Sequence, residues 1–186
     1  MEQIVEAVRC ALDPLTSQSV KTEATQYCES VKTSSDGWHA CLELFTTTPE
    51  KTPESRLFAL QVIDAMIIGA GIRGGESGAA AKLGATRSAL LGFVSTRYAG
   101  PSYQNEPAFI KNTLAHTLTL LALASYPAQW STFVKDMISL TGLPQATGAL
   151  TEDSARQTNA ASINPFMVDF LLKVLGSLDE EMVNPA

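Results

Sequence analysis

Gly69-Ala70-Gly71-Ile72-Arg73-Gly74 carries the spacing G-x-G-x-x-G. In a dinucleotide site those glycines let the backbone approach a pyrophosphate at a helix N-terminus. That chemistry also needs a short strand before the glycines and an acidic residue about twenty positions on to hold a ribose. Here the preceding apolar segment is too long for a strand and has helical spacing. Glu76 comes too early, and the next acid is Glu106. The letters alone point to a small dehydrogenase; the context points to a Gly-rich loop between helices over residues 69–78.

The other reactive side chains are scattered. His39 and His116 fall on different predicted helices, and no G-x-S-x-G nucleophile motif accompanies either. Asp179, Glu180 and Glu181 are adjacent, so they point in different directions around a helix rather than pairing as acid and base. Cys10, Cys28 and Cys41 are an odd count without C-x-x-C spacing. Each sits on an apolar stripe, which fits buried thiols in a reducing compartment rather than disulfides or metal ligands. Trp38 and Trp130 fit the core stripes of their helices. The expectation is a protein that is not an enzyme, with no cofactor and no metal site.

Composition agrees with a folded chain. Its 186 residues are 45% hydrophobic and 17% charged, enough to bury a sizeable core. A net charge of −6 disfavours holding nucleic acid by the overall field and suits docking to a basic protein surface. The first residues alternate charge with apolar side chains, unlike a signal peptide. No apolar run reaches about 18 residues, so no membrane span is expected.

The elements that position these residues all read as helices. Ile4, Val5, Val8 and Leu12 predict a short helix that stops at Asp13-Pro14, because proline lacks the N–H that continues a helix. Val20, Ala24, Tyr27, Cys28 and Val31 mark a second. Trp38, Cys41, Leu42 and Phe45 mark a third. Thr52-Pro53 supplies an N-cap and first helical position. The helix that follows, to about Ile68, is apolar on nearly every side, so neighbours must cover it on two or more sides. A fifth runs over 79–98 and ends at Gly100-Pro101.

Residues 105–140 predict two more helices, broken at Ser125-Tyr126-Pro127. Phe109, Leu114, Leu118, Leu121, Ala122 and Ser125 recur at three- and four-residue steps on one. Trp130, Phe133, Val134, Met137, Ile138 and Thr141 do so on the other. Residues 141–164 are polar and aperiodic and read as a loop. Asn164-Pro165 opens a last helix with Phe166, Phe170, Leu171, Val174, Leu175 and Leu178. Strand signals are close to absent.

Helix pairs over 17–31 with 36–45, 53–68 with 79–98, and 106–125 with 128–141 each span about one repeat of HEAT or armadillo type. The fold expected is all-α: a HEAT-type helical-repeat solenoid, a right-handed superhelix of about three and a half repeats. The last helix lacks a partner and no polar end cap follows. Residues 1–186 are therefore expected to be the amino-terminal region of a longer solenoid, truncated before the rest.

An ordered set of segments is similar to the tRNA exportins of the karyopherin-β (importin-β) family. It comprises Asp36-Gly37-Trp38-His39-Ala40-Cys41, Phe58-Ala59-Leu60-Gln61-Val62-Ile63, Phe109-Ile110-Lys111-Asn112, Leu120-Leu121, Tyr126, Trp130-Ser131-Thr132-Phe133, Asp136-Met137-Ile138-Ser139 and Leu178-Asp179-Glu180-Glu181-Met182-Val183. These keep family order over about 17–183. The resemblance implies a nuclear export receptor whose amino-terminal repeats bind Ran GTPase in its GTP form and assist tRNA cargo binding. It implies shuttling between nucleus and cytoplasm through contacts with nuclear pore proteins, with tRNA held mainly by further repeats.

The family binds RanGTP chiefly through the second helix of each pair. That projects His39, Glu43, Lys82, Thr86, Lys135 and Asp136 as partner-binding candidates. The alternative is a generic helical-repeat scaffold for a protein or peptide partner.

Overall fold

The computed structural model describes residues 1–48, 51–72, 78–142 and 163–183. Among these residues there are nine helices and no strand. They are α1 (Glu2–Leu12), α2 (Gln18–Thr33), α3 (Gly37–Thr47), α4 (Pro53–Ile72), α5 (Ala79–Arg97), α6 (Ser102–Asn105), α7 (Ala108–Ser125), α8 (Phe133–Leu140) and α9 (Pro165–Val183).

They form two rows. α1, α4, α7 and α9 pack in succession, and α2, α3, α5 and α8 lie along them. This is the side-by-side hairpin architecture of a HEAT-type solenoid, as the periodicities predict. α4 shows why. Ala59, Leu60 and Ile63 are fully buried, with Phe58, Val62 and Ile67 nearly so, and α4 is gripped by α3 on one flank and α7 on the other. α7 repeats the arrangement, with Ile110, Leu114, Leu118 and Leu121 fully buried between α4 and α9. Each such side chain contributes about 1.5–3 kcal/mol by leaving water.

The predicted helix starts are chemically visible. Thr52 Oγ1 accepts the Ser55 N–H at 3.4 Å, with Pro53 in the first position. Asn164 Oδ1 accepts the Phe166 N–H at 3.0 Å and the Met167 N–H at 3.3 Å, capping α9. The helix breaks at Pro14 and at Tyr126-Pro127 fall where expected, the latter at a cis peptide bond.

Several details differ from the expectation. The pairing is shifted: α1 packs mainly on α2, and α3 mainly on α4, rather than α2 on α3. α2 buries only Ala24, Cys28 and Val31, and its main packing is against α1. Gly37 seats the start of α3 against α2. A Cβ there would lie 2.0 Å from the Val31 carbonyl oxygen.

Gly69 and Gly71 are not in a loop but in the last turns of α4. A Cβ on Gly71 would meet the Ala124 Cβ at 3.3 Å, so this glycine lets α4 run close to α7. That removes the strand-to-loop context a dinucleotide site requires. Residues 73–77 of the 69–78 reading, and nearly all of the predicted 141–164 loop, lie outside the described residues.

α8 begins at Phe133, so Trp130 is buried ahead of the helix instead of on it. Val20, Phe109, Val134 and Leu175 were expected on buried stripes and are exposed. Among the described residues no helix is long and apolar enough to cross a membrane.

Candidate partner-binding surface

The predicted contact residues fall on α3, α5 and α8, which share one row. Because α3 packs mainly on α4, His39 and Glu43 sit on the first helix of their pair, not on the second as projected. His39 and Glu43 are exposed, one turn apart on α3. The His39 ring meets Trp38 edge-on, with centroids 5.6 Å apart. From α5, the Lys82 ammonium stands 6.0 Å above the Trp38 ring, within cation–π range. Trp38 is thus half-buried rather than core, and it ties His39 and Lys82 into one patch.

Beside the patch lies a cleft of about 250 Å³ between α2, α3, α4 and α5. Lys32, Ser34, Trp38, Met66 and Lys82 are among its lining residues. Lys32 is partly committed: its ammonium pairs with Glu29 at 2.7 Å.

A second group forms where α5 meets the α7–α8 turn. Arg87 Nη1 donates to the Gln129 carbonyl at 2.7 Å, and its guanidinium lies 5.6 Å above the Trp130 ring. The Trp130 indole N–H donates to Asp136 Oδ2 at 2.8 Å, and the Thr132 hydroxyl donates to the same oxygen at 2.8 Å. Asp136 therefore fastens the start of α8. Lys135 beside it is exposed.

Thr86 differs from the other candidates. It is fully buried and its hydroxyl has no hydrogen-bond partner among the described residues. A partner docking on the outer face does not reach it. Arg87, which contacts Gln129 and Trp130, is not among the residues projected from the sequence. It is one of several basic residues of α5, in mid-helix, and pattern alone does not separate it from a solvated charge.

The titratable groups elsewhere are mostly structural. On the row α4–α7–α9, His116 Nδ1 is 3.4 Å from Ser177 Oγ and 3.7 Å from Glu181 Oε1. Asp64 on α4 faces the same region. Burial pushes its carboxyl up to about 6, against a hydrogen bond from Thr117 and the nearby His116, which both lower it. Burial raises the Cys41 thiol to about 12 and raises Cys28 as well, so both are poor nucleophiles at neutral pH. Cys10 differs from the expectation: it is only half-buried, with its sulfur 3.4 Å from Glu6. Among the described residues no group of three His, Cys, Asp or Glu side chains is placed to hold a metal ion.

The row α3–α5–α8 presents charges of both signs around half-buried Trp38 and buried Trp130. The profile of the family described as Exportin 1-like protein matches residues 107–186. Along nearly its whole length the chain is also similar to proteins named Exportin-T. It is 29% identical to that of Aspergillus niger over 97% of this chain, 30% to that of Pyricularia oryzae over 98%, and 31% to that of Aspergillus terreus over 97%. The exportin resemblance read from the residues is therefore shown. The chain spans 16% of the length of each of these relatives.

Proposed function

We propose that the chain is the amino-terminal HEAT-repeat region of a nuclear export receptor for tRNA and that it binds RanGTP through the α3–α5–α8 row. The supporting observation is the similarity to Exportin-T proteins over 97–98% of the chain, on an array that leaves one face of each hairpin open. His39, Glu43, Lys82, Lys135 and Asp136, joined by Arg87, form the contact set. Trp38 and Trp130 give it two rigid aromatic footings, in a face where charges of both signs steer a complementary partner.

Ran and tRNA would be coupled by linkage. A partner that prefers one curvature of the solenoid makes the same curvature available to the other, and the coupling is reciprocal. With a net charge of −6, the chain holds tRNA weakly alone, and further repeats supply most of that contact. Contacts with nuclear pore proteins carry the receptor between nucleus and cytoplasm.

The test is capture of Ran by the immobilised chain at low salt. Retention of Ran loaded with GTP but not with GDP supports the reading. Equal retention of both forms favours the generic scaffold instead. A tight gel shift with tRNA alone would overturn the auxiliary role assigned to cargo binding.

A further inference from the structure

α1 and α2 enclose an open groove of about 540 Å³ to which no residue of α3 or α4 contributes. Its floor is apolar, built by Ala7, Val20, Ala24 and Tyr27. Val20 and Tyr27 remain 41% and 36% exposed. Glu2, Glu6 and Glu23 line its rim, and no lysine or arginine does. Within the array the apolar flank of α4 is closed by α7, and that of α7 by α9. Here the flank is open.

We propose that this groove receives one amphipathic helix of a partner protein, with its apolar stripe flanked by lysine and arginine. The charge pattern selects the occupant. Glu23 has no cation within ion-pair distance among the described residues. Glu6 pairs with Arg9 at 2.5 Å and Glu2 with Lys51 at 2.8 Å. Both pairs are solvent-exposed and exchange readily for an incoming cation.

A second copy fits poorly. The exposed apolar face of its α9, with Leu172, Leu175 and Met182, is flanked by Asp179 and Glu180, which would meet the acidic rim with like charge. α1 has 11 residues, about 16 Å of helix, so the groove takes roughly three turns of a partner.

The test uses the 186-residue chain and a labelled 18-residue peptide with leucines at helical spacing and lysines elsewhere, followed by fluorescence anisotropy. Binding in the micromolar range is expected. It weakens at least about tenfold when Glu6→Lys and Glu23→Lys are combined, or with Val20→Asp. All three positions are exposed, and an unchanged circular dichroism spectrum accompanies the loss. A glutamate version of the peptide fails to bind.

Equal binding of a peptide of the same composition with its leucines out of register would overturn the proposal, since it reduces the effect to bulk charge. So would binding indifferent to both variants. A concentration-dependent dimer in sedimentation that Val20→Asp abolishes would give the groove to a second copy and overturn it too.

Discussion

Arg56 and Glu106, fifty residues apart, meet in the interior as a two-pronged ion pair. Arg56 Nη1 donates to Oε1 at 2.5 Å and Nη2 to Oε2 at 3.0 Å, with the side chains only 4% and 6% exposed. The Arg56 guanidinium also lies 5.0 Å above the Phe45 ring and 5.9 Å above that of Phe93. One contact thus ties α4 to the segment entering α7, with α3 and α5 supplying the aromatic walls.

Such a pair gains little over an apolar substitute, but breaking it strands a buried charge. Glu106→Ala is expected to cost about 3–5 kcal/mol in urea unfolding. Replacing both, Arg56→Met with Glu106→Leu, is expected to cost much less. Equal losses in the single and double variants would contradict this account of the pair.

The two glycine environments separate close packing from helix propensity. Gly37→Ala drives a methyl group into the Val31 carbonyl and should destabilise by about 1–3 kcal/mol through backbone displacement. Gly92, inside α5, has nothing within 4 Å of an added Cβ. Gly92→Ala should therefore stabilise by about 0.5–1 kcal/mol. Thermal melts of the two variants should move in opposite directions, and a shared direction would refute the assignment.

Asp64 gives a pH dependence with a definite sign. Its carboxyl titrates at about 6 in the folded chain, raised first by burial, and at about 3.9 when unfolded. Between those values the folded chain keeps a proton that the unfolded chain has released. This group's contribution is therefore full below about pH 4 and is lost as the pH rises through 6. Asp64 is half-buried, so the loss is discounted to about 1–2 kcal/mol. Asp64→Asn should raise stability by that amount at pH 7.5 and leave it nearly unchanged at pH 4. An equal gain at both pH values would show that charge is not the cause.

Asp136 holds both the Trp130 indole and the Thr132 hydroxyl. Asp136→Ala should cost about 1–3 kcal/mol by leaving the buried indole N–H unpaired. Tryptophan fluorescence should shift with it. Unchanged stability and emission would mean that this carboxylate is not a structural fastener.

How far the sequence was legible depends on the range of each contact. Apolar stripes at helical spacing and the helix starts at Thr52-Pro53 and Asn164-Pro165 are local signals, and they placed most helices within a few residues. α4, apolar on nearly every side, announced its neighbours on both flanks. What escaped depends on residues far apart in the chain. Arg56 inside an apolar helix gives no hint of Glu106, and Gly71 reads as part of a loop until Ala124 is beside it. The shifted pairing puts α2 mainly against α1, a choice of partner that periodicity does not measure. The sequence placed the candidate residues on their helices. The candidate surface was not legible at Thr86, which is inside, or at Arg87, whose role comes from Trp130.

The most direct test of the account is an equilibrium titration of the chain with Ran in each nucleotide state, repeated with Lys82→Glu. The account predicts that the GTP form binds at least about tenfold more tightly than the GDP form, a difference of about 1.4 kcal/mol, and that Lys82→Glu weakens the GTP form without altering the fold. Equal affinity for the two forms, or a GTP-state affinity indifferent to Lys82→Glu, would contradict it.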